Sequence, residues 1–134
     1  MQTKHLYSLV QPRAREHALS LATIIVSSLL ASLLAFTAAR KLSHRPEVVE
    51  SYARVGVPEA RLNALAGVLI AGAGGLVVGL FWAPIGVAAA TGLAIYFVLA
   101  IVAHIRAGDT EHSPTPIVME LLSVAALVLL LQAL

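Results

Sequence analysis

The residues able to do chemistry in this chain are few, and they sit beside long uncharged stretches rather than within them. Arg40 and Lys41 form a basic pair, His104, Arg106 and Asp109 fall close together, and Glu120 follows a link containing Pro114 and Pro116. A mixed ring of Lys41, His104, Arg106, Asp109 and Glu120 could hold the head group of an amphipathic ligand such as a quinone or a lipid. His104 has the best claim, because a neutral or charged imidazole can hydrogen-bond a quinone carbonyl. The plainer account is that these are snorkelling side chains and helix caps that satisfy one another at a membrane interface. Taken one residue at a time, that account is the commoner outcome.

Other chemistries lack their residues. The chain has no cysteine, so it carries no disulfide, thiolate metal site or thiol redox couple. His5, His17, His44 and His112 lie outside the apolar stretches, and no metal site is expected. There is no HExxH, Walker or GxSxG pattern, and the Gly72-Ala73-Gly74 run meets Val77 where a dinucleotide fingerprint needs glycine. A net charge of +2 is too small to indicate a nucleic-acid partner.

The elements that position these residues follow from composition. Of 134 residues, 59% are hydrophobic and 12% charged, against roughly 25% charged in an ordinary soluble domain. Too few polar residues are present to cover a water-exposed surface, and the alternative solvent is lipid. A helix needs ~20 apolar residues to cross a bilayer. Four stretches qualify: 18–39, 62–80, 84–103 and 117–134. Their continuous apolar runs differ from the alternating ten-residue segments of a β-barrel. The expected fold is therefore all-α, a transmembrane four-helix bundle spanning 18–134 behind a polar, interfacial tail at 1–17. The first stretch exceeds the 7–15 residues of a secretory core and ends at Arg40 and Lys41, so it reads as a retained helix. No stretch has an ionisable group near its centre, which argues against a pump, a proton relay, a voltage sensor or a bis-histidine haem.

The connections are also legible. Phe81-Trp82-Ala83 makes a tight hairpin before Pro84, with the aromatics suited to the lipid–water boundary. Between the first two spans, Pro46 can start a short amphipathic helix and Gly56 can end it. Val48, Val49, Tyr52 and Val55 share one side of this helix. Glu47, Glu50 and Arg54 occupy the other, with Glu50 and Arg54 at pairing distance in sequence. This interfacial helix either lies on the membrane or caps the bundle. Lys4, Arg13 and Arg15 fall on one side of the membrane. Arg40, Lys41, Arg45, Arg54, Arg61 and Arg106 fall on the other, so loops 40–61 and 104–116 are expected in the cytoplasm of a multi-pass cell-membrane protein.

Small residues recur at four-residue spacing. Ser27, Ala31, Ala35 and Ala39 do so in the first span, Gly67, Ala71, Gly75 and Gly79 in the second, and Gly86, Ala90 and Ala94 in the third. In lipid, close backbone approach rather than leucine burial joins helices, and small residues permit it. These faces are expected to pack the bundle, with a dimer interface as the alternative. The leucine-rich fourth span is expected at the edge.

The order of parts resembles the DoxX-like family of small four-helix membrane proteins, from about residue 20 to the end. The resemblance rests on Ala38-Ala39-Arg40-Lys41-Leu42 closing the first helix, with alanine where the family commonly has glycine. It continues through Val55-Gly56-Val57-Pro58 and the glycine-rich second helix to His104-Ile105-Arg106-Ala107-Gly108-Asp109. Many relatives carry a glutamate near the position of Ile70, and this chain does not. The resemblance implies a four-helix membrane fold and two kinds of role. Some members are subunits of a thiosulfate:quinone oxidoreductase, and others belong to membrane redox or detoxification complexes or assist receptor assembly. Two readings follow. The first is a non-catalytic subunit or assembly scaffold bound to a membrane-protein partner or a second copy. The second is a quinone-linked oxidoreductase subunit with Lys41, His104 and Asp109 around the head group, its electrons supplied by a partner chain. The chain itself dictates no cofactor, and quinone is the candidate.

Overall fold

A computed structural model describes the backbone of residues 2–109 and 114–134 and the side chains of 19–109 and 115–134. Among these residues five α-helices follow one another: α1 (Gln2–Ser43), α2 (Pro46–Arg54), α3 (Leu62–Gly79), α4 (Ala83–Arg106) and α5 (Pro114–Gln132), with a short 3₁₀ turn at Glu59–Arg61 before α3. Among the described residues four segments are long and apolar enough to cross a membrane: Leu19–Ser43, Glu59–Gly79, Ala83–Arg106 and Thr115–Gln132. The protein is an all-helical, multi-pass membrane protein, as its composition requires. Residues 2–17 are helical and form the first part of α1. At 1.5 Å per residue α1 is about 60 Å long, twice a hydrocarbon core of roughly 30 Å.

The helix ends follow from local chemistry. Pro46 opens α2 and Pro84 lies in the first turn of α4, where a missing N–H costs nothing. Gly56 and Gly108 adopt positive φ, +84° and +70°. After Gly56 the N–H of Val57 reaches back to the Tyr52 carbonyl at 2.9 Å. After Gly108 the N–H of Asp109 reaches the His104 carbonyl at 2.9 Å. Both are paired 6→1 and 5→2 terminations that satisfy carbonyls the helix leaves open. The two motif glycines are thus helix stops.

The four spanning helices form a ring. α1 packs on α3, α3 on α4, α4 on α5, and α5 returns to α1. The first and third spans therefore stand diagonally, without the direct pairing that would bring all the rim residues into one ring. The fourth span is no outlier, contrary to the sequence expectation. Met119, Ser123, Ala126 and Leu130 are all buried, because small residues in the middle of that stripe let α5 come close on two sides. Opposite them the core is filled by Leu30, Leu34, Leu69, Leu76, Leu93 and Phe97. Large apolar side chains also face outward: Leu21, Ile25, Phe36, Leu99 and Leu121 are all more than 60% exposed. Helices apolar on both faces need lipid outside. Thr23, Thr37 and Ser123 donate to the carbonyls four residues back at 2.7–2.8 Å, whereas the buried Ser27 hydroxyl has no hydrogen-bond partner among the described residues.

The closest backbone approach joins α3 to α4. A Cβ at Gly79 would collide with the Gly86 backbone, and one at Gly75 would lie 2.7 Å from the Ala89 Cβ. Gly75 and Gly79 thus pack on α4, while Gly67 and Ala71 lie on the outer surface, with nothing within 4 Å of a Cβ at Gly67. The reason is geometric. Four residues rotate ~40° beyond a full turn, so three such steps carry a stripe ~120° around the helix. The inward stripe instead mixes steps of three and four: Leu62, Ala66, Leu69, Gly72, Leu76, Gly79.

Gly79→Ala should therefore lower stability in detergent by about 1–3 kcal/mol, the usual range for overpacking, whereas Gly67→Ala should leave it unchanged or slightly raised. Thermal unfolding followed by far-UV dichroism separates the two, and equal losses would refute this account of the α3–α4 contact.

Candidate functional site

The residues able to do chemistry gather at one rim, where α2 folds over the ends of α1 and α4. α2 is held there by its inward face. Val48 is buried on its apolar side, while Glu47, Glu50 and Arg54 face outward. From α1, Lys41 runs beneath it, only 2% exposed. The Lys41 Nζ donates to the Tyr52 hydroxyl oxygen at 2.6 Å. It also lies 4.5 Å from the ring centre. So short a distance to the oxygen makes this a hydrogen bond at the ring edge rather than a cation over the face. A hydrogen bond from a charged donor contributes roughly 1.5–3 kcal/mol. Burial raises the Tyr52 phenol above its ordinary value, so the hydroxyl keeps its own proton while accepting from Lys41.

Tyr52 forms one wall of an apolar groove of about 210 Å³ between α2, the start of α3 and α4, bounded also by Leu65, Tyr96, Leu99 and His104. Tyr96 is braced by an edge-on contact with Phe97, with ring centres 5.0 Å apart. His104, half-buried in the last turns of α4, donates from Nδ1 to the Ala100 carbonyl at 2.8 Å. That bond fixes the ring and leaves Nε2 as the remaining polar atom.

The proposed ring is thus divided. His104 lines the groove directly, and Lys41 reaches it through Tyr52. Arg106 is exposed and lines a neighbouring open groove together with Arg54. Asp109 is half-buried and its backbone caps α4. Glu120 is half-buried near the start of α5, its Oε2 buried and without a hydrogen-bond partner among the described residues. No ion pair joins Lys41 or Arg106 to Glu120 within 4.0 Å, and none joins Glu50 to Arg54. No group of three potential metal ligands occurs among the described residues.

A second polar cluster was not anticipated from sequence. His44 follows α1 at φ +51°, a left-handed conformation in which histidine is several-fold enriched among non-glycine residues. Its Nδ1 lies 3.0 Å from Glu59 Oε1 and its Nε2 lies 2.8 Å from Asn63 Oδ1. With an oxygen at each ring nitrogen, the doubly protonated ring can donate to both. The bonds to Asn63 and then to Glu59 accordingly raise the His44 pKa above its ordinary 6.5. The cluster pins the end of α1 to the start of α3. Asn63, the one strongly polar residue of its span, was the available signal.

The sequence pattern of the DoxX-like family matches residues 25–126, most of the chain. No curated protein and no solved structure matches it. The chain belongs to the DoxX-like family, in keeping with the resemblance read from its motifs.

Because the His44 pKa is raised on folding, its contribution is fully present below about 6.5, the ordinary histidine range, and is lost as pH rises through the higher folded value. A proton-detected histidine titration of the folded protein should place the His44 midpoint above 6.5, with Asn63→Ala and Glu59→Gln each lowering it. A midpoint at or below that value in the wild type would disprove the doubly bonded imidazolium.

Proposed function

We propose that this DoxX-like protein is a non-catalytic subunit or assembly scaffold of a membrane complex, resident in the cell membrane with loops 40–61 and 104–116 in the cytoplasm. The observation that carries this reading is the outer face of α3. On α1 the outward positions are filled by Leu21, Ile25, Leu29 and Phe36, side chains suited to lipid. On α3, Val68, Ile70, Val77 and Val78 are likewise exposed, but Gly67, Ala71 and Gly74 form a bare strip among them, and nothing lies near a Cβ at Gly67 or Gly74. A helix that ends at lipid gains nothing from such a strip, whereas a helix that meets another helix gains close backbone contact. The occupant is another membrane-protein helix, from a different chain or a second copy. The role asks for no reacting group within the membrane, and the absence of cysteine from the sequence is consistent with that. The bias of lysine and arginine toward the two longer loops supports the orientation.

A second reading has its own observation. The almost wholly apolar groove beside His104 is lined by the His104 and Tyr52 side chains, the first held by the Ala100 carbonyl and the second by Lys41. An apolar slot with an imidazole at its edge suits a ligand with a carbonyl oxygen and an apolar tail, and a quinone is such a ligand. In this reading the chain is a quinone-binding subunit of an oxidoreductase whose electrons arrive from a partner.

Gly67→Leu combined with Ala71→Ile should abolish co-purification of a partner in mild detergent without lowering the thermal stability of the bundle, since neither position packs internally. Recovery of the wild type from native membranes as a lone monomer would sink the scaffold reading. For the second reading, a quinone titration should show binding weakened at least tenfold in His104→Ala, and unchanged affinity would count against it.

A further inference from the structure

We propose that the open groove between the end of α2 and the end of α4 is a binding site for one anionic membrane phospholipid, with its phosphodiester held between Arg54 and Arg106. The groove, of about 570 Å³, adjoins the His104 groove but is distinct in its charge: two arginines line it and no carboxylate does. The arginines come from different elements, Arg54 from the last turn of α2 and Arg106 from the last turn of α4. Neither forms an ion pair among the described residues. Arg54 has none despite Glu50 four residues earlier, a spacing that favours pairing along a helix.

The apolar part of the groove has the direction a lipid needs. Below Arg106 its wall descends along α4 through Ala103 and Val102 to Leu99. Seven residues of helix cover ~10 Å, so a head group at the arginines would send an acyl chain down α4 toward the hydrocarbon. Ala103 leaves width beside the helix, and Val55 closes the opposite wall. Guanidinium forks match phosphate oxygens in plane and can donate two bonds at once. Basic pockets between membrane helices take anionic head groups by this chemistry. A zwitterionic lipid would bring its own cation between the two arginines, and the site would discriminate against it. The inference needs only the multi-pass membrane character of the chain and holds for either role proposed above.

The test is native mass spectrometry of the full chain in mild detergent, offered phosphatidylglycerol and phosphatidylcholine with the same acyl chains. The wild type should retain one phosphatidylglycerol with a preference on the order of tenfold. Arg54→Gln with Arg106→Gln should reduce the preference to near unity. Arg45→Gln with Arg61→Gln, exposed on the same rim but outside the groove, should preserve it. Soluble glycerol phosphate should fail to displace the lipid, because it lacks the chain that fills the apolar wall. Equal retention of the two lipids by the wild type would overturn the proposal without recourse to any variant. An undiminished preference in the Arg54/Arg106 variant would place the lipid elsewhere, and displacement by glycerol phosphate alone would overturn the lipid assignment.

Discussion

Hydrocarbon offers the backbone no hydrogen bonds and rewards no leucine for leaving it. Both facts shape this protein. The first commits the crossing segments to helix, because every N–H and C=O must find its partner within its own segment. The second means that the helices stay together only where their surfaces interlock closely. The Gly79–Gly86 approach, where neither residue tolerates a Cβ, is the tightest such place. It fixes α3 against α4 next to the Phe81-Trp82 turn, and the order of the ring follows from there. Interior hydroxyls such as Thr23 and Ser123 return to carbonyls of their own helices, so they hold no helix to another.

Polar chemistry is consequently exported to the rims, and one rim holds most of it. α2 is the element that organises this end. One face supplies Val48 and Tyr52 to the bundle, and the other leaves Arg54 at the edge of an open groove. Tyr52 serves two purposes there. It accepts a hydrogen bond from the buried Lys41, which would otherwise lie among apolar side chains without a partner, and it contributes a wall to the groove at His104. The His44–Glu59–Asn63 cluster ties down the other end of the same connection. Together these contacts set α2 over the bundle through protein interactions, so its amphipathic face is used against the chain itself.

Several short motifs that mark the family turn out to have structural explanations. Gly56 and Gly108 stop helices in left-handed conformations. Lys41, in the Arg-Lys-Leu element, anchors α2 rather than standing free at the interface. His104 is positioned by a carbonyl of its own helix and stands beside the groove. Family membership therefore describes a scaffold in which motif residues shape a rim, and the use made of that rim is a separate matter.

The sequence alone determined the solvent, the number of crossings, the short amphipathic helix and the turn at Phe81-Trp82. Each of these depends on local composition or on residues within a few positions of one another. Prolines and glycines at 46, 56, 84 and 108 placed helix ends because their backbone constraints act locally. What the sequence could not determine was which face of each helix points inward. A run such as Gly67 to Gly79 is apolar all round, so no polar side marks the outside. The four-residue stripe of glycine and alanine suggested one face, while the packed stripe drifts away from it. Nor could it show that α1 and α4 stand diagonally, which divides the rim residues into separate sites. It likewise gave no sign that Tyr52, counted among apolar neighbours, would receive Lys41. Those outcomes depend on contacts between segments far apart in the chain, and only the assembled ring of helices decides them.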